Sequence, residues 1–277
     1  MFKLVFSFVL LLSLSCVAQA DKVSKLGSND LIGGRLARDG ELPFSVFLRI
    51  GNSLCTGSLV GQETVLTAGH CVEGSRNIEF NFEGIKHNGS CTRHPDFSNQ
   101  TLNNDFALCK FSPAVTTNVF GDLSPVSVNS GEQVTLQGFG QNRVGTLQVG
   151  EARIEDINGQ DIKVLSSVKL GGGDSGGGLI LGQPDLFNGP FQIIGVNSRV
   201  QNNQNRSFFN RINLQRSQDF FRDFANNNRV DICGINVNCI GGGGGNNRCD
   251  AEADIVKFFE DELRNAKNVL NDCLRRN

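Results

Sequence analysis

Gly173-Asp174-Ser175-Gly176-Gly177 sets one serine among residues that carry almost no side chain. Small neighbours let a carbonyl group approach the hydroxyl. They also leave the backbone N–H groups of Gly173 and Ser175 to face a developing oxyanion, where each donor is worth about 3 kcal/mol of barrier. A glycine-rich stretch, Gly171-Gly172-Gly173 included, makes an ordinary loop just as well, so this reading needs partners elsewhere in the chain.

Attack on a peptide near neutral pH by a hydroxyl needs a base to take its proton and an acid group to hold the base in one tautomer. Upstream, Thr67-Ala68-Gly69-His70-Cys71 follows a strand-like run ending at Leu66 and holds one of only three histidines. A lone histidine is more often structural than catalytic. Cys55, however, precedes Cys71 by 16 residues, and a 55–71 disulfide would close a hairpin-sized loop and pin the backbone of His70. Asn104-Asp105-Phe106-Ala107-Leu108 supplies an acid at the mouth of an apolar strand, though Asp105 by itself reads as a turn residue.

With Leu31-Ile32-Gly33-Gly34 and His94-Pro95-Asp96-Phe97 added, these motifs stand in the order seen in the chymotrypsin/trypsin family of serine proteases, which the chain resembles over about residues 31 to 225. The resemblance implies an all-β fold of two six-stranded antiparallel β-barrels. The catalytic set would be His70 and Asp105 from the first barrel and Ser175 from the second, with Gly173 and Ser175 as the oxyanion hole. It implies a zymogen as well: a cut before Leu31 frees an α-amino group that pairs with Asp174. Asp30, not Arg or Lys, precedes that bond, so a trypsin-like activator does not suit it.

The resemblance places Lys169 at the floor of the primary specificity pocket, where a trypsin-like enzyme carries aspartate. Lysine there repels basic side chains and attracts acidic or amide ones. Ser198 aligns with a serine that supports substrate binding, and Arg199 and Val200 stand where the family often has Trp and Gly. Gly171 replaces a family cysteine, so a bracing disulfide is missing. Cys91 with Cys109 forms a second expected disulfide, while Cys233, Cys239, Cys249 and Cys273 leave three connectivities open.

The rest of the chain bounds the context. Residues 1–20 read as a signal peptide, with an apolar run and an Ala-Gln-Ala site; that run falls short of the roughly 20 apolar residues a membrane span needs. Residues 21–30 would be the propeptide, 31–228 the protease domain, and 229–277 a Cys/Gly-rich linker with an amphipathic helix. That helix carries Ile255, Phe259, Leu263, Ala266, Leu270 and Leu274 on one face, docked on the body or recruiting a protein partner. The expected location is secreted, extracellular or periplasmic, without a membrane anchor. Removal of residues 1–20 takes Cys16 with it and leaves eight of the nine cysteines; an even count in an exported chain favours disulfides over a zinc site, and no metal or cofactor is expected. With 26 Lys and Arg against 28 Asp and Glu, nothing suggests nucleic acid as a partner; protein or peptide substrates remain. The competing reading is a catalytically silent, protease-like binding or regulatory protein.

Short β-segments are expected at 44–50, 58–66, 78–82, 106–111, 133–139, 162–165, 178–181 and 192–196, with a helix at 217–225. Asn88-Gly89-Ser90, Asn99-Gln100-Thr101 and Asn205-Arg206-Ser207 are glycosylation acceptors in a eukaryotic host. Aromatic packing rests on 21 phenylalanines, with no Trp or Tyr.

Overall fold

In Ser45-Val46-Phe47-Leu48-Arg49-Ile50 every second side chain is buried, the period-two pattern of a strand with one face on a core. This strand, β2 (Ser45–Ile50), opens the first of two barrels in a computed structural model that describes residues 31–140, 145–183 and 191–239. The barrel closes in the order β2, β3 (Ser53–Gly61), β4 (Thr64–Thr67), β7 (Ala107–Ser112), β6 (Ile85–Arg93) and β5 (Asn77–Phe82). Closure comes from β2 against β5, where Ile50 faces Ile78. Val46, Leu48, Leu59, Phe80 and Phe111 belong to its buried cluster.

The second barrel is a ring of β9 (Gln133–Gly138), β10 (Gln148–Asn158), β11 (Asp161–Leu165), β14 (Arg206–Arg211), β13 (Phe191–Gln201) and β12 (Gly178–Leu181), shut by β9 pairing both β10 and β12. Outside the ring, β1 (Arg35–Leu36) lies on β10 and β8 (Gly121–Asp122) runs parallel to β13. Leu31, Val134, Leu136, Ile162, Leu179 and Phe209 lie in its interior cluster. The chain thus has the double six-stranded antiparallel barrel expected from its motifs.

One strand expectation changes form. The run 58–66 is not one strand but the hairpin of β3 and β4, with Ser58 opposite Leu66, because Gly61-Gln62-Glu63 interrupts the apolar sequence with turn residues. The strands β6, β10 and β14 carry mixed polar sequences that hid their periodicity.

Helix α1 (Gln215–Asn228) runs longer than the expected 217–225 and ends where Arg229 takes φ 52°, its N–H donating to Ala225. Its buried face, Phe220, Phe221 and Phe224, packs on the first barrel, with Phe221 at 5.8 Å from Phe106. The packed body continues beyond the helix: Cys233 N–H donates to Val60 O at 2.8 Å, Leu123 N–H donates to Cys233 O at 2.9 Å, and Cys233 bonds to Cys239. Gly61 admits this segment, since a Cβ there would stand 2.1 Å from Asp231 O. Among the described residues no helix is long and apolar enough to cross a membrane. The expected signal peptide, propeptide, Cys249, Cys273 and amphipathic helix lie outside the described residues.

Candidate active site

His70 begins a single 3₁₀ turn, His70–Val72, directly after β4. The next residue, Cys71, is bonded to Cys55 on β3, so the turn is tied to the barrel wall beside the histidine. Asp105 precedes β7, is fully buried, and collects three donors. Its Oδ1 accepts His70 N–H at 2.8 Å, and its Oδ2 accepts His70 Nδ1–H at 2.7 Å and Ser198 Oγ–H at 2.6 Å. Asp105 N–H in turn donates to Asn210 Oδ1 at 3.0 Å. With the proton on Nδ1, the lone pair of His70 is on Nε2, and the imidazole keeps 27 % of its surface exposed. Cys91 and Cys109 form a second disulfide across β6 and β7, four residues past Asp105.

The Ser175 loop meets this pair across the cleft between the barrels. Ser175 O accepts Thr56 N–H at 2.8 Å and lies 3.8 Å from Cys71 Sγ. Gly176, at φ +89°, sits where a Cβ would be 2.1 Å from Thr67 Oγ1 and 2.8 Å from Ala68 N, so only glycine lets the nucleophile loop come this close to the approach to His70. Among the described residues neither Gly173 N–H nor Ser175 N–H has a protein acceptor, and Ser175 Oγ makes no hydrogen bond. His70 and Asp105 are joined; among the described residues no hydrogen bond links Ser175 to His70, and catalytic bonds of this kind often tighten only once substrate closes a site.

Asp174 is fully buried, with Oδ1 accepting Gly140 N–H at 2.9 Å and Oδ2 accepting Gly171 N–H at 2.7 Å. Leu31 is fully buried in the second barrel's core, and Ile32 exchanges two 2.9 Å backbone bonds with Lys169. The Leu31-Ile32-Gly33-Gly34 segment therefore docks against the chain leading into the nucleophile loop.

The expected pocket residues differ in how their charge is met. Lys169 Nζ donates to the neutral amide of Asn205, at 3.0 Å from Oδ1. Arg199 is held by Asp161 at 2.5 and 3.3 Å and lies over the Phe208 ring at 4.5 Å. Val200 packs partly buried against the second barrel's core, opposite Ser207. Ser198 reaches Asp105 itself, a contact the motifs did not indicate.

Sequence reading also missed Thr56, Gln137, Asn197 and Asn210, all fully buried on strands. Asn197 Nδ2–H donates to Gln137 O and Asp174 O, both at 2.8 Å, bracing the nucleophile loop from below. Their only sequence signal is a polar residue at an inward strand position. His94, from the quoted motif, is buried against Phe220 at a ring distance of 5.0 Å and accepts Asp96 N–H; burial pushes its pKa down, and it reads as structural.

Two closed barrels with a buried carboxylate, an oriented imidazole and a glycine-flanked serine at their junction define the chymotrypsin class of serine protease architecture. A family model described as Trypsin matches residues 31–218, and the chain belongs to that family. It is 29 % identical to Trypsin I-P38 of Gallus gallus over 172 residues, covering 58 % of this chain and 68 % of that one. Serine protease 1 of Homo sapiens is 28 % identical over 173 residues (57 % and 68 %), and Cathepsin G of Mus musculus 30 % over 153 residues (48 % and 56 %).

Proposed function

We propose that the chain is a secreted serine endopeptidase that works through an acyl-enzyme. The observation that carries the reading is the His70–Asp105 pair at 2.7 Å, with the Ser175 loop bonded to Thr56 on β3, the strand whose Cys55 is linked to Cys71 beside the histidine. Ser175 Oγ attacks the scissile carbonyl while His70 Nε2 takes its proton. Asp105 stabilises the imidazolium, and Gly173 and Ser175 N–H groups receive the oxyanion. His70 then returns the proton to the leaving amine, and water repeats the sequence to release the acyl group.

Two finer readings belong with it. The chain is made as a zymogen, and cleavage after Asp30 supplies the Leu31 amine to Asp174; the close docking of residues 31–34 supports this. Side chains that are acidic or amide are preferred at the cleaved position, because Lys169 Nζ is partnered by a neutral amide, whereas Arg199 is paired with the Asp161 carboxylate. Substrate contacts are then made by Lys169, Ser198 and Val200, with Arg199 supporting the wall. The packed body continues past the expected boundary at residue 228, through Cys233 and Cys239, and a protein partner for the remainder of the 229–277 extension is part of the proposal.

An organophosphonate probe tests the activity. The protein processed to start at Leu31 takes up the label, and Ser175→Ala takes up none; an unlabelled wild type would instead favour the silent, binding-protein reading. Profiling with a peptide library checks the specificity, and preference for Arg or Lys at the cleaved position rejects the role of Lys169.

A further inference from the structure

We propose that Thr56 is a positioning residue for the oxyanion loop, a role that rests on the protease reading above. Thr56 lies on β3 and is fully buried. Its N–H donates to Ser175 O at 2.8 Å and its Oγ1–H donates to Gly173 O at 2.9 Å. The same Oγ1 accepts Phe139 N–H at 3.1 Å, and Thr56 O accepts Thr67 Oγ1–H at 2.9 Å. One residue of the first barrel therefore holds the strand leading to His70, the segment 139–140 and both ends of the 173–175 turn.

The placement of these bonds gives them their consequence. The two candidate oxyanion donors are Gly173 N–H and Ser175 N–H. Thr56 grips the carbonyl that follows each of them, one with its hydroxyl and one with its amide. The loop has little stiffness of its own, because Gly171, Gly172, Gly173 and Gly176 surround the serine, and Gly173 adopts φ +93°. Without the Thr56 hydroxyl, rotation of the Gly173–Asp174 peptide meets only the Asp174 contacts. The site needs a group that accepts from Phe139 and donates to Gly173 at once, in a buried place where water does not compete. Hydroxyl chemistry meets that need, and a methyl of the same shape does not.

The proposal is tested with the full chain processed to start at Leu31. Thr56→Val is expected to lower kcat about ten- to thirtyfold, less than loss of an oxyanion donor itself, while KM stays within about twofold. Affinity for a peptide boronate, whose tetrahedral adduct places an oxygen in the hole, falls by the same factor as kcat, and affinity for the product peptide does not change. Thr56→Ser restores kcat to within about threefold of wild type. A Thr56→Val protein with kcat within twofold of wild type overturns the proposal, as does a Thr56→Ser protein as impaired as Thr56→Val, or a loss that falls equally on the product peptide. If Thr56→Val does not fold, Thr56→Ala is judged by the same ratio of boronate to product affinity. A wild type that hydrolyses nothing and takes no phosphonate breaks the protease reading; an active wild type with an insensitive Thr56→Val breaks this one alone.

Discussion

In the first barrel the catalytic candidates sit beside covalent bonds: Cys71, next to His70, is bonded to Cys55, and Cys109, on the strand after Asp105, to Cys91. In the second barrel the described residues contain no disulfide, and the serine loop is held by hydrogen bonds to Thr56, Asn197, Gly140 and Gly171. The family's bracing cysteine is Gly171 here, and its backbone N–H instead serves Asp174. The difference teaches that the histidine side is stabilised chiefly by what the disulfides remove from the unfolded chain, whereas the serine side depends on each buried polar contact being present in the fold.

The largest expected effect sharpens what both sides share. Asp105→Asn, which leaves His70 without an anionic partner and disturbs its tautomer, is expected to cut kcat by about 10⁴ with little change in fold, measured on a peptide substrate. Asp174→Ala is expected to cost about 10² to 10³ in kcat, because the Gly140 and Gly171 N–H groups lose their acceptor and the oxyanion loop loosens. Full activity in that variant would break the contrast, since the serine side would then not depend on its polar braces. Replacing Cys55 and Cys71 together by Ala is expected to lower stability by about 3 kcal/mol in urea unfolding while kcat per folded molecule stays close to wild type; a collapse of kcat with stability intact would reverse the assignment.

Smaller effects separate the barrels by pH. Burial holds the His94 pKa below its ordinary value of 6.5, so the unfolded chain binds the proton more readily. The stabilisation by neutral His94 is complete above about pH 6.5 and is lost as pH falls below it. His94→Phe should flatten that slope in thermal melts followed across mildly acidic pH. On the β1 side of the second barrel, Arg35 clasps Glu41 through two hydrogen bonds and holds its pKa below the ordinary 4.5, so this contribution is lost only at lower pH, as the carboxylate protonates. Glu41→Gln should therefore leave the mildly acidic slope unchanged.

Much of this architecture was legible in the chain. Strands with strict alternation, such as β2 and β5, stood out, as did the motifs that supply His70, Asp105 and Ser175. The hairpin of β3 and β4 reads as one strand because its turn is so short that only four residues separate the apolar pairs Leu59-Val60 and Val65-Leu66. Asp105, His70 and Ser175 could be picked out because their neighbours are unusual. Thr56 and Asn210 could not, since a buried polar residue on a strand declares its role only when the partner, 83 or more residues away in the case of Thr56 and Phe139, is brought to it.

The helix α1 comes from the second half of the chain, yet Phe221 rests on Phe106 and Cys233 completes the edge at Val60. During synthesis, the outer face of the first barrel must therefore remain uncovered until nearly the whole described chain has been made. A nascent polypeptide arrested after the second barrel would present Phe106 and its apolar neighbours to solvent, a sticky species of the kind that chaperones bind. Closing that face is a late, long-range event, and it makes the two barrels mature as one unit rather than in succession.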